Sequence, residues 1–253
     1  MKKSSALLLT AGLALSAWAP AFAEELKLYA AAGVKSPVQQ MARDFEKSTG
    51  QKITLVFDTA GAAEQKFLAD SSATFLVTAQ TRINAAEKSG KLKGGVTSVM
   101  GDTVGGIAAP PGRPKPDIST PEKLKAALLA APRIAFSDPA RGATVGKHFM
   151  HVIEALGIKD EVLKKATLAA DGVQTMHLVL DGKADIGITQ LSEIMQANPA
   201  ALVGPFPKEY DLATTYSLWL RTDAPPAAKA FASLITSPAE RAKLREHGLR
   251  PPQ

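Results

Sequence analysis

From residue 26 onward the chain alternates short apolar runs with capped amphipathic segments, and this alternation limits it to an α/β fold. Residues 26–32 read as a first strand. Ser36-Pro37-Val38-Gln39 then reads as a helix start, with Ser36 as cap, Pro37 in the first turn and Gln39 completing a capping box. Val38, Met41, Ala42 and Phe45 recur at helical spacing, and Gly50 is the expected stop. A second strand follows at 53–57. The same order returns with a strand at 133–137, the turn Asp138-Pro139-Ala140-Arg141-Gly142 and a helix from near Thr144 to Gly157. A helix over 173–180, a strand over 184–189 and a second capping box at Ser237-Pro238-Ala239-Glu240 complete the pattern. The proline-rich, basic stretch 110–121 reads as a surface connection. Two strand–helix clusters joined near 100–108 and again near 203–216 predict two lobes with mixed sheets flanked by helices and a hinged cleft between them. One lobe comprises 24–103 with 206–253, the other 104–205; a single lobe with one long sheet is the alternative.

The first residues read as an export signal. Lys2 and Lys3 precede an apolar run from Ala6 to Ala17, and Ala21-Phe22-Ala23 matches an A-x-A cleavage site, so 1–23 is expected to be removed. That run is shorter than the about 20 residues a membrane-spanning helix needs. The sequence contains no cysteine, which excludes a lipidated cysteine anchor, thiolate metal sites and a cysteine nucleophile. Without Lys2 and Lys3, 28 basic residues face 24 acidic ones, scattered and with few aromatics. Nucleic-acid binding asks for a basic stripe or interleaved aromatics, and neither is present. A periplasmic monomer with no membrane anchor and no cofactor is expected.

Leu28-Tyr29-Ala30-Ala31-Ala32 with the helix ending Phe45-Glu46-Lys47-Ser48-Thr49-Gly50 resembles the periplasmic molybdate-binding proteins. So do Phe57-Asp58-Thr59-Ala60-Gly61, Ser137-Asp138-Pro139 and Ala184-Asp185-Ile186-Gly187-Ile188, in matching order over nearly the whole exported chain. The resemblance implies a type II periplasmic-binding fold that holds its ligand between lobes and delivers it to an ABC permease. It also places a serine of that family at Gly33, a second at Ala60 and a tyrosine at Gln190, while Val173 keeps the family's residue and Thr144 matches a backbone-amide position. Losing two hydroxyls and a phenol would cost a buried dianion roughly 1–3 kcal/mol per missing partner.

The expected ligand is therefore a small organic anion, a carboxylate, rather than molybdate or tungstate. Lys35 and Arg141 stand beside helix starts, where amides favour anions. Arginine forks onto carboxylates, and Gln174 and Gln190 supply amides. The binding set is thus Gly33, Lys35, Ala60, Arg141, Thr144, Val173, Gln174 and Gln190. Each has a plainer reading: a solvated lysine, an exposed turn arginine, a loop amide, a helix cap. An enzyme offshoot is the second class, since the periplasmic aconitate isomerases also look like this fold and Thr189-Gln190-Leu191-Ser192-Glu193 departs from the molybdate pattern. An allylic proton shift needs a base, for which Lys35, Asp58, Glu64 and Glu193 all stand open. His148 and His151 have metal-ligand spacing but no third partner, so no metal is expected. Trp219, the only tryptophan beyond residue 23, is expected to report closure.

Overall fold

The computed structural model describes residues 25–250. The export segment expected at 1–23 lies outside them. The chain opens with β1 (Leu26–Ala31), α1 (Lys35–Thr49), β2 (Ile53–Asp58), α2 (Ala60–Ala69), β3 (Phe75–Ala79), α3 (Gln80–Lys88) and the long β4 (Gly95–Ala108). It continues through α4 (Pro121–Ala130), β5 (Ile134–Ser137), α5 (Thr144–Ala155), α6 (Lys159–Leu163), β6 (Ala166–Ala169), α7 (Gly172–Leu180) and β7 (Ile186–Gln190). The remainder is α8 (Leu191–Ala197), β8 (Leu202–Pro205), β9 (Ala213–Arg221), α9 (Pro226–Ile235) and α10 (Arg241–Glu246). No helix among the described residues is long and apolar enough to cross a membrane.

The strands run in the order β2-β1-β3-β9-β4-β7-β5-β6, with β8 also on β4. Parallel pairs β1/β2, β1/β3, β5/β6 and β5/β7 are covered by helices, as buried parallel strands require. The length of β4 lets it serve two sheets. Its residues 95–104 pair antiparallel with β9, and Gly105–Ala108 pair with β7 and β8. The two larger of four apolar clusters follow from this change of partner. One gathers Phe45, Phe75 and Phe231 beneath α1 and α9; the other gathers Phe136, Phe149 and Phe206 beneath α5. Edge-to-face contacts fix the rings of each, such as Phe136 on Phe149 at 5.1 Å.

Two expected caps take a different form. The first helix begins at Lys35 after a 3-10 turn at Ala32–Val34, and no side chain caps it. The Ser36 amide instead donates to Gln196 Oε1 at 2.8 Å, so a tertiary partner replaces the local capping box. Thr144 is the first residue of α5 rather than its cap; the cap position is Ala143. Thr120 does cap α4, accepting from the Lys123 amide, and Ser237 accepts from the Glu240 amide at 3.4 Å to open a short 3-10 turn. Gly50, Gly157, Gly182 and Gly248 all have positive φ where the stops were expected.

Strands β1 and β2 end together, β5 and β7 end within a residue of each other, and a helical segment starts just beyond each, the arrangement in which α/β sheets hold ligands. Gly146 sets the closest of these approaches. A Cβ there would overlap the Ser137 carbonyl oxygen, so only glycine lets α5 settle onto the end of β5. Gly146→Ala is expected to lower stability by about 1–3 kcal/mol, measurable by denaturant unfolding, because backbone must move to admit the methyl group.

Candidate functional site

The ends of those strands enclose a pocket lined from both sides of the molecule. Ala31, Ala32, Thr59, Ala60 and Tyr216 form one wall; Ser137, Ala143, Thr144, Val145, Gly172, Thr189, Gln190 and Glu193 form the other. Its free volume is about 20 Å³, room for roughly one water. The first residues of α2, α5 and α7 all lie on its surface, so the positive dipole ends of three helices border one hollow. No lysine or arginine lines it.

Tyr216 is buried at 2 % exposure. Its hydroxyl occupies the space where a side chain at Gly33 would stand, since a Cβ on Gly33 would overlap it. The Tyr216 hydroxyl, brought in by β9, thus stands where the side chain missing at Gly33 would be. Burial, with the charge of Glu193 beside it, pushes the Tyr216 phenol well above its usual range and keeps it a donor. Ser137 Oγ lies 3.4 Å from both Thr175 Oγ1 and Thr189 Oγ1, in a buried hydroxyl cluster.

Glu193 enters this cluster from the first turn of α8. Its Oε2 accepts from the Thr189 hydroxyl and, at 3.1 Å, from the Gln190 amide. Gly172 makes the room, because a Cβ there would run into the Glu193 carboxyl group and the Thr189 hydroxyl. Burial pushes Glu193 up to about 7, against the pull of the two hydrogen bonds, and Asp171 adds to the rise.

The lips of the pocket are joined. At one, Arg141 Nη2 donates to both oxygens of Asp58 at 3.0 and 3.2 Å, and its Nε donates to the Ala170 carbonyl at 2.9 Å. The Thr59 hydroxyl donates to the Arg141 carbonyl, and the Gly61 amide donates to the Gly142 carbonyl at 3.2 Å. Burial alone would raise Asp58; Lys66, the Thr59 amide and Arg141 together hold it below the usual carboxylate range. At the other lip, Gln196 donates to the Gly33 carbonyl at 2.7 Å while accepting from Ser36.

Of the eight residues singled out in sequence, Ala60, Thr144 and Gln190 meet in this pocket and Gly33 lies directly under Tyr216. Lys35 and Val173 line an adjoining hollow of about 180 Å³ that shares Glu193 as a wall. Arg141 is engaged with Asp58 on the lip, and Gln174 is exposed on α7. Among the four candidate bases, Asp58 is held by Lys66 and Arg141, Glu64 is paired with Arg82 at 2.5 Å, and Lys35 faces the adjoining hollow. Glu193 alone of the four lines the pocket. Sequence reasoning passed over Thr59, Ser137, Thr189 and Tyr216. Thr59 could have been found as a hydroxyl residue just before an apolar helix start; Tyr216 carries no local signal. Trp219 stacks edge-on with Phe67 and donates to Glu87, away from the pocket, so it is poorly placed to report closure. His148 Nε2 lies 2.7 Å from the Tyr210 carbonyl, and no cluster of three metal-ligating side chains occurs among the described residues.

This geometry, strand ends facing one another across a donor-rich pocket, is that of solute-binding proteins, and residues 26–250 match the family model of bacterial extracellular solute-binding proteins. The chain belongs to that family. It is 25% identical over 233 residues to an aconitate isomerase from a Pseudomonas species, covering 89% of this chain and 87% of the relative. Its fold superposes on the periplasmic molybdate-binding protein of Azotobacter vinelandii with a TM-score of 0.71 at 22% identity, over 90% of this chain and all of that one. A phosphate-bound substrate-binding protein of Clostridium perfringens gives a TM-score of 0.68 at 12% identity, again over 90% of this chain and 100% of the other.

The raised Glu193 has a consequence for stability. An acid whose folded value lies above its unfolded one stabilises the fold while protonated, and that contribution fades as pH rises from about 4.5 through 7. Glu193→Gln, which cannot ionise, is therefore expected to gain roughly 2–3 kcal/mol relative to the parent protein between pH 5 and pH 8. Parallel urea titrations across that range check it.

Proposed function

We propose that this protein works in the periplasm as a binding protein that captures a small organic anion by its carboxylate and presents it to an ABC permease. Residues 24–103 with 206–253 would act as one lobe and 104–205 as the other, closing by a hinge at β4 and the segment entering β9. The observation that carries this reading is the convergence of three helix N-termini and the Tyr216, Thr144 and Ser137 hydroxyls on one pocket without a basic side chain. Fixed neutral donors hold an anion without competing counter-charges. The walls also carry Ala31, Ala32, Ala60, Ala143 and Val145, apolar surface that suits the carbon of an organic acid more than a bare metal oxyanion. Tyr216 returns one donor that the molybdate-binder comparison counts as missing, so apolar lining, not donor shortage, is what weighs against molybdate and tungstate. The adjoining positions Lys35, Val173 and Gln174 would border the remainder of a ligand too large for the closed pocket.

A second reading, an isomerase acting on aconitate, is favoured by Glu193. A carboxyl group near pH 7 beside a permanently protonated phenol is suited to take a proton from a carbon next to a carboxylate and return it at the other end of the allylic system. The relative named aconitate isomerase adds weight to it.

One experiment addresses both. Titrating malate, citrate, cis- and trans-aconitate, molybdate and sulfate by calorimetry should give micromolar or tighter binding for an organic acid and at least tenfold weaker binding for molybdate. Tighter binding of molybdate than of every organic acid would contradict the proposal. Incubation with trans-aconitate should yield cis-aconitate if the second reading holds, and none if the protein only binds.

A further inference from the structure

Glu193 is an anomaly in a pocket otherwise built from donors. A carboxylate there repels a second negative charge, and its site is made for it by Gly172, Thr189 and the Gln190 amide. Both of these hydrogen bonds fall on Oε2. Gln190, on the same wall and 4 % exposed, shares a capping box with Glu193, its side chain accepting from the Glu193 amide while its Nε2 donates to Thr214 at 3.0 Å. A carboxylate on a wall of donors asks for a donor from the ligand, and an acceptor deprived of one in a dry site costs about 1–3 kcal/mol.

The structure assigns to Glu193 the selection of a ligand that carries its own proton: a hydroxycarboxylate or hydrogen-bearing oxyanion whose hydroxyl donates to Glu193 Oε1, in preference to an anion of the same size with no hydroxyl. The assignment rests on the reading of this pocket as the ligand site and narrows its substrate class. Rejection of an analogue lacking a matched hydroxyl is characteristically steeper than rejection by shape, because the protein acceptor is then left without its bond. The charged and titratable groups facing Glu193 are Asp171 at the start of α7, Tyr216 on β9, and Lys35 of α1 and His177 of α7 across the adjoining hollow. Near pH 7 Glu193 changes from donor-capable acid to acceptor, so an anion without a hydroxyl should bind better as the pH falls.

The test uses three matched pairs in calorimetric titrations of the full exported chain: malate against succinate, citrate against tricarballylate, and hydrogenphosphate against sulfate. At pH 8.5 the hydroxyl-bearing member of at least one pair should bind tenfold or more tightly than its mate, and Glu193→Gln should reduce that ratio to threefold or less. In the parent protein, the affinity for the mate without the hydroxyl should rise several-fold between pH 8.5 and pH 6; this series decides the matter even where Glu193→Gln fails to fold. Equal affinities within all three pairs, a ratio unchanged by Glu193→Gln, or a flat pH series would overturn the assignment to Glu193 and leave the pocket as the anion site. Absence of binding by all six anions at every pH would overturn the pocket reading together with it.

Discussion

The arrangement of the site depends on how closely the loop after β2 meets the loop after β5. Gly61 and Gly142 touch backbone to backbone: a Cβ on Gly61 would stand 2.7 Å from the Gly142 Cα, and the reverse contact is as tight. Gly142 also has a φ of +78°, which a side chain disfavours. Around this contact the Thr59 hydroxyl, the Gly61 amide and the Asp58–Arg141 pair tie one side to the other. Arg141 is 44 % exposed, so its ion pair contributes modestly and is screened by salt. The directional backbone bonds, and the absence of any side chain between the glycines, determine the approach. Gln196 performs the same service at the opposite lip with a single amide side chain.

With both lips joined, the pocket between them narrows to about 20 Å³. Any anion larger than water therefore requires the lips to part, and the bonds that part are few and mostly neutral. That is a suitable energy scale for a reversible closure, because a ligand need only exceed a handful of hydrogen bonds worth about 1 kcal/mol each. The proposed closure would leave the two apolar centres intact, since each lies beneath its own sheet and β4 and the segment before β9 carry the chain between them.

The alternation of strands and helices was readable because it is local: Val38, Met41 and Phe45 share a helix face, and Gly50, Gly157 and Gly182 stop helices wherever they are placed. The family resemblance likewise rests on short ordered motifs and agrees with the family match. The pocket was only partly readable. Ala60, Thr144 and Gln190 follow strand ends and could be found by their place in each motif. Arg141 could not be separated from a ligand clamp, because its partner Asp58 is 83 residues away. Tyr216 was invisible for the same reason: β9 returns next to β3 and β4, and nothing near it in sequence shows that its hydroxyl fills the gap at Gly33. Glu193 was visible as a candidate base but could not be ranked, since its burial depends on a missing Cβ at Gly172.

The lack of native cysteine allows the closure itself to be measured directly. Spin labels at Gln65→Cys on α2 and Lys147→Cys on α5, both exposed and clear of the joined lips, would report the separation of the two sides by pulsed electron resonance. Saturating organic anion should collapse a broad distribution into one short distance, and Arg141→Ala should return part of the population to longer ones. A single unchanged distance with and without ligand, indifferent to Arg141, would contradict a closing pocket.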